Sequence, residues 1–216
     1  MLNNHIIKRG YVLKEKLGQG NYVEVFRAIK TDQNKILAIK KLINPQNKLH
    51  LDAFNKQKDI LNKIKNKKYA LQILDDLQFL DQHLFAIVLE FYECNFNEIF
   101  EVNQFSFEQI VTFSYQILQG LLVLQQIAII IKLFNADIIL YCKDKGQFVI
   151  ADFGYSQIIS QQQEFEYKGN QIIEKDNGSH YEVDVYHVGL LILELFISRN
   201  LTLDEKQKIK SKSLFE

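Results

Sequence analysis

The sequence predicts an α+β chain in two lobes, a β-rich first part and a mostly helical second part. Three observations predict it. Short alternating apolar and polar runs, parted by turn residues, fill Tyr11 to Leu42; one helical run crosses early; and apolar residues recur at helical spacing from Phe107 onward. With 216 residues, 47% of them hydrophobic, and only nine Gly and one Pro, the chain is long enough for one large domain or two small lobes.

The elements follow in order. "YVLKEKLG", "YVEVFRAIK" and "KILAIKKLI" read as antiparallel strands divided by Gly18, Gly20 and the turn-like "KTDQNK". Beyond Pro45, Leu51, Phe54, Ile60, Leu61 and Ile64 fall near helical spacing, which predicts a helix over about 51–66. "ALQILDDLQFL" and "HLFAIVLEFY" read as two more strands, and "CNFNEIF" opens the helical half. The longest helix is expected from Phe107 to about Gln126, with Ile110, Phe113, Ile117, Leu121 and Leu124 on one face. Short strands "IILYC" and "QFVIADF" follow. The polar stretch Ser156 to Asn177 shows no sustained period and reads as a loop. A last helix begins near Val183 and carries "VYHVGLLILELFI", apolar almost all round, a pattern expected to be buried on every side. No internal repeat is evident.

Composition excludes several function classes. Lys plus Arg and Asp plus Glu are balanced at 26 each, so no global field argues for nucleic acid or an anionic membrane. The basic cluster from Lys56 to Lys68 has the spacing of a solvated helix face. Cys94 and Cys142 lie far apart without a CxxC or Cys/His cluster, which argues against a disulfide framework or a zinc site and for a reducing compartment, the cytoplasm by default. The start "MLNNHIIKRG" lacks the apolar core of a signal peptide, and no stretch nears the ~18 apolar residues needed to span a bilayer.

Three motifs carry chemistry, each weak alone. In "LGQGNYVEVF", Gly18 and Gly20 lie between strands where backbone N–H groups could approach phosphates without a Cβ in the way, although two glycines in a hairpin are commonly just a turn. Lys40 in "LAIKKL" could set a cation against a phosphate, or could be an ordinary strand lysine like Lys41. Asp152 in "ADFG" could hold a divalent ion, or could simply begin a turn.

Taken in order and spacing, these motifs resemble the protein kinase family across Tyr11 to Asn200. The resemblance implies a single kinase-like domain over 1–216, with a β-rich N-lobe at 11–92 and a mostly helical C-lobe at 93–216. It makes "LGQGNYVEV" the glycine-rich loop, with Tyr22 at its tip, Val25 over the adenine and Val23 in place of the third glycine. "LAIK" then supplies Ala38 as an adenine contact and Lys40 as the phosphate lysine. "IVLEFY" becomes the strand into the hinge, with Leu89 as gatekeeper and the backbone of Glu90 and Tyr92 available to adenine. Leu140 would close the pocket, Asp152 would hold metal, and "YEVDVYHVGLLILEL" with Asp184 is similar to the central C-lobe helix.

The family's catalytic loop HRDLKPEN falls on "IKLFNADI". Ile131 then stands at the His, Lys132 at the Arg, Leu133 at the catalytic Asp, Asn135 at the Lys, Ala136 at the Pro, Asp137 at the Glu and Ile138 at the metal-binding Asn. Shifting the frame by one puts Phe134 and Ile139 at the two key places. Leucine can neither orient a hydroxyl nor take its proton, a role worth about 10²- to 10⁴-fold. Isoleucine cannot ligate a hard cation, and Asn135 brings no charge. Gln57 stands at the glutamate that pairs with the phosphate lysine, and is expected to hydrogen-bond Lys40 without an ion pair. Leu61, Phe153 and Ile131 match the family's apolar spine. The resemblance therefore implies a pseudokinase: no catalytic residue, ATP as a ligand, and Mg2+ weakly held.

After Asn200 only about 16 polar-leaning residues remain, and "QIIE" sets Glu174 near the APE position without its proline. A C-lobe lacking its last helices is thus expected, with the last apolar helix covered by a partner protein in a larger assembly. A nucleotide-responsive switch and an unconventional active serine/threonine kinase are the rival expectations. Ser156, Ser160 and Tyr167 are candidate phosphorylation sites.

Overall fold

The computed structural model describes residues 6–79, 83–100, 105–132, 134–158, 165–168, 171–174 and 181–211. The chain divides into two compact units, Met1–Glu93 with Ala151–Gly154, and Cys94–Ile150 with Tyr155–Glu216.

The first unit is built on a five-stranded antiparallel sheet. Its strands are β1 (Tyr11–Gln19), β2 (Val23–Lys30), β3 (Lys35–Leu42), β4 (Ile73–Phe79) and β5 (Leu84–Glu90), in the order β1-β2-β3-β5-β4. In the register, Lys40 lies opposite Val25 on one side and Ile87 on the other, and Ala38 lies opposite Leu89. Because side chains alternate along a strand, Val25, Ala38, Lys40, Ile87 and Leu89 share one face. The other face carries Ala28, Leu37, Ile39, Ala86 and Val88 in a core cluster with Ile6, Tyr11, Leu77 and Leu84. Both faces of β3 and β5 are therefore covered, which is why these strands read as nearly continuous apolar runs.

Helix α1 (Lys48–Lys63) lies against β3 and β4 and buries Phe54, Gln57, Ile60 and Leu61. It begins and ends about three residues earlier than the apolar spacing predicts. Asn47 caps it, its side chain accepting the N–H groups of Leu49 and His50, and the chain has left the helix before Asn66, at φ 64°. The basic residues Lys56, Lys63, Lys65, Lys67 and Lys68 are exposed, and Lys58 pairs with Asp76 at 3.0 Å, as a solvated face should.

The second unit is mainly helical, with a small sheet of β6 (Cys94–Asn95), β8 (Ile139–Cys142) and β9 (Gln147–Ile150), and a two-strand pair of β7 (Ile129–Ile130) with β10 (Gln157–Ile158). A short α2 (Phe96–Phe100) leads to α3 (Phe107–Gln126). The start of α3 is set by a reciprocal capping box: the Gln109 N–H donates to Ser106 Oγ at 3.2 Å, and the Ser106 N–H to Gln109 Oε1 at 2.8 Å. All five residues expected on its inner face are buried. Phe113 sits at the centre, its ring 4.8 Å from Phe96 and 5.1 Å edge-on from Phe148. Gln116 ties the β8–β9 hairpin to this helix, accepting the Phe148 N–H at 2.6 Å and donating to the Gly146 carbonyl at 3.1 Å.

Three expectations need correction. Ser156 to Asn177 is not one loop: besides β10 it holds β11 (Phe165–Lys168) and β12 (Gln171–Glu174), an antiparallel hairpin. β9 stops at Ile150 rather than at Phe153, because Asp152 turns into the left-handed region at φ 52°. Finally α4 (Tyr181–Ile197), the last apolar helix, is not buried all round. Val188, Leu190, Leu191 and Leu195 are buried, but Val185, Leu193, Phe196 and Ile197 face solvent, as do Phe107, Val111 and Leu122 of α3. Helix α5 (Leu203–Ser211) follows, its Lys206 pairing with Glu194 at 2.9 Å. Among the described residues no helix is long and apolar enough to cross a membrane.

Candidate functional site

In the first unit the glycine-rich segment is the β1–β2 hairpin. Gly20 N–H donates to the Val23 carbonyl at 2.8 Å and closes the turn. Gly18 pairs with Val25, and a Cβ on Gly18 would meet nothing within 4 Å, so its backbone stands in open space. Register shifts on either side of Lys16 bulge this edge of the sheet.

Below it, a compact polar cluster assembles around Asp152. Lys40, only 8% exposed, lies with its Nζ 3.2 Å from Asp152 Oδ1. Gln57 Nε2 donates to the same oxygen at 2.9 Å, and the Gly154 N–H also reaches it, at 3.3 Å. The expected Gln57–Lys40 bond is thus replaced: both side chains converge on Asp152, the one acceptor carrying charge. Burial alone would raise the Asp152 pKa, but the Lys40 charge and hydrogen bonds from Lys40, Gly154 and Gln57 outweigh it and hold the carboxyl below its ordinary value. A Cβ on Gly154 would come within 3.1 Å of the Tyr22 hydroxyl oxygen and 3.3 Å of Asp152 Oδ1, so both side chains crowd this glycine. Tyr22, from the hairpin tip, therefore reaches down to this cluster, with its ring 5.7 Å from that of His50.

Ala38 and Leu89 are buried on the same sheet face as Lys40. At the end of β5 the Glu90 N–H is engaged, donating to the Gln72 carbonyl at 3.2 Å. The Tyr92 hydroxyl donates to the Glu90 carboxylate at 3.0 Å. Leu61 and Phe153 are fully buried in this unit.

The segment laid on the catalytic loop belongs to the second unit. Ile131 is buried and its N–H donates to Asp184 Oδ2 at 2.9 Å. Asp184, itself buried, is pushed up to about 6 by loss of solvent, with backbone donors of Ile131 and Lys132 partly offsetting this. Leu133 lies outside the described residues. Asn135 caps a 3-10 turn, Ala136–Ile138, accepting the Asp137 N–H at 2.8 Å, and Asp137 accepts from Asn97. Ile138 is buried at 8% exposure. Leu140 lies on β8, half-buried. Ser156 is fully buried, so its hydroxyl is closed to a modifying enzyme; Ser160 and the side chain of Tyr167 lie outside what is described.

The site fits a divalent cation poorly. Asp152 offers one carboxylate, and one of its oxygens already takes three donors, an ammonium among them. No group of three His, Cys, Asp or Glu residues suited to a metal occurs among the described residues. Sequence reasoning brought out Lys40, Gln57, Asp152 and Asp184 but not Asn97, Gln116 or the reach of Tyr22 to Gly154. Those contacts join residues distant in sequence, and no local pattern signals them.

Residues 11–216 match the protein kinase domain family. The dual specificity protein kinase YAK1 of Saccharomyces cerevisiae is 29% identical over 205 residues, covering 88% of this chain and 25% of the relative. Cyclin-dependent kinase F-3 of Oryza sativa subsp. japonica is 26% identical over 195 residues, 86% of this chain and 44% of the relative. The human dual specificity tyrosine-phosphorylation-regulated kinase 4 is 26% identical over 210 residues, 91% of this chain and 39% of the relative. The chain spans less than half the length of each of these relatives. With a five-stranded sheet leading, a helical unit following and the match running from β1 to the last residue, the chain belongs to the protein kinase family.

Proposed function

We propose that this chain is a catalytically impaired kinase-like domain that works by binding. The observation that carries the reading is the fate of the polar groups in the catalytic-loop segment. Asn135 is spent on capping a turn, Asp137 takes its hydrogen bond from Asn97, and Ile131 and Ile138 are buried apolar side chains. Neither isoleucine can accept a proton from a substrate hydroxyl or hold a metal, and the one carboxylate of the segment, Asp137, stands at the family position of the Glu and not of the catalytic Asp. With Leu133 at the position of the catalytic carboxylate and Ile138 at that of the metal-binding Asn, phosphoryl transfer loses its base and a metal ligand together. The exposed apolar side chains of α3 and α4 support a role as a subunit that docks on a partner protein. The test is phosphotransfer from radiolabelled ATP to a general protein substrate and to the chain itself. No transfer above buffer is expected, and turnover in the ordinary kinase range of roughly 1–100 s⁻¹ would overturn the proposal.

A second reading is favoured by the intact Lys40–Asp152 pair: the chain takes up a nucleotide without turning it over, as a switch. Gly18, Gly20, Tyr22 and Val25 would lie against the phosphates and base, Ala38 and Leu89 against adenine, and the backbone of Glu90 and Tyr92 at the adenine edge. ATP at about 100 times its Kd should add ~2.7 kcal/mol to stability. Lys40→Ala is expected to abolish the corresponding rise in Tm; an undiminished rise would remove this reading. The names of the relatives, all kinases, leave active phosphoryl transfer as the alternative that the first assay excludes or establishes.

A further inference from the structure

Gln57 changes the electrostatics of the cluster around Asp152 in a way that a glutamate would not. Lys40, Asp152 and Gln57 carry charges of plus one, minus one and zero, so the cluster is neutral as it stands. A carboxylate at 57 would leave it at minus one, a deficit that invites a cation. The geometry fits that difference. Of the two orientations of the Gln57 amide, only the one seen donates to Asp152 Oδ1; the reverse would set oxygen against oxygen. Holding it leaves Gln57 Oε1 buried without a hydrogen bond, while its Nε2 donates to the charged acceptor. Asp152 Oδ1 therefore takes its donors from an ammonium, an amide and a backbone N–H, all supplied by the protein.

We propose that a nucleotide taken up by this chain is held without a divalent cation, with Gln57 as the positioning residue that keeps Asp152 on Lys40 in place of a metal. The proposal rests on the nucleotide-binding reading above. A divalent ion would enter a neutral cluster with an ammonium 3.2 Å from the one carboxylate, and would compete with three protein donors for the charge of that group, keeping only Oδ2 as a ready ligand. Gln57→Glu reverses this: the new carboxylate competes for Lys40 and repels Asp152, releasing the latter to a cation.

The experiment is calorimetric titration of the full chain with ATP, once in EDTA and once in excess MgCl2, for the native chain and for Gln57→Glu. For the native chain the two Kd values are expected to agree within about twofold, and for Gln57→Glu magnesium is expected to tighten binding by about tenfold. Tighter binding by the native chain in magnesium, by about tenfold or more, overturns the proposal while leaving nucleotide binding standing. Metal-indifferent binding by a folded Gln57→Glu variant overturns the part assigned to Gln57. If that variant does not fold, the native comparison decides alone. Absence of binding in both buffers overturns the nucleotide reading and this inference with it.

Discussion

Asp184 offers a test of how the second unit is held together. It is buried on α4, accepts the Ile131 N–H at 2.9 Å, and is pushed from 3.8 up to about 6, chiefly by loss of solvent. In the unfolded chain the same carboxyl ionises near its ordinary value. Between those two values the folded state holds a proton that the unfolded state has released, so stability from this group falls as pH rises. Its contribution is fully favourable below about pH 4 and is lost as pH passes through 6. A shift of about 2 units at ~1.4 kcal/mol each gives a swing of ~3 kcal/mol. Asp184→Asn keeps one acceptor oxygen for the backbone but cannot ionise. The assay is urea unfolding of both proteins from pH 4 to pH 7, taking native minus variant so that all other groups cancel. That difference should decline by roughly 2–2.5 kcal/mol across the range, the rest of the swing lying below pH 4. A flat difference, or one that rises with pH, would refute the claim that burial dominates at this carboxyl.

Other expected outcomes concern packing and polar contacts in the same unit. Phe113→Ala empties a fully buried site between Phe96 and Phe148 and should cost about 3–5 kcal/mol in urea unfolding, at the upper end if the cavity does not collapse. Gln116→Leu removes both bonds to the β8–β9 hairpin and leaves the Phe148 N–H and the Gly146 carbonyl seeking partners; a loss of about 2–3 kcal/mol is expected, with amide exchange at Phe148 accelerating more than at Ile117.

Much of this architecture was legible in the sequence, and the reasons are physical. The strands of the first unit stood out because turn residues bracket short apolar runs, and α3 because Ile110, Phe113, Ile117, Leu121 and Leu124 keep helical spacing along one buried face. The shift of α1 by about three residues was hidden because Asn47 acts through its cap, which leaves no mark on apolar spacing. The β11–β12 hairpin was masked by polarity, although Gly169 and Asn170 fall at the two residues between the paired strands, a recognised hairpin signal. α4 read as buried all round because composition records how apolar a helix is and not which neighbours it meets. At the candidate site Lys40 and Asp152 were identifiable singly, from the resemblance. That Gln57 would bond Asp152 rather than Lys40 was not, since an amide can serve as donor or acceptor and only three-dimensional placement decides.

The first unit takes four of its residues, Ala151–Gly154, from far down the chain. The pairing of Lys40 with Asp152 spans 112 positions and that of Gln57 with Asp152 spans 95. Loop closure over such distances is entropically late, rewarded only after the intervening chain has found its own structure. During synthesis the five strands and α1 can assemble as soon as residue 93 is free, yet Lys40 then lacks Asp152, its partner in the complete chain. Completion of the polar cluster waits until residue 154 has emerged, so the stretch Cys94–Ile150 of the second unit must be made before the first unit's chemistry exists, and a fragment ending at Glu93 would lack Asp152 and with it the site.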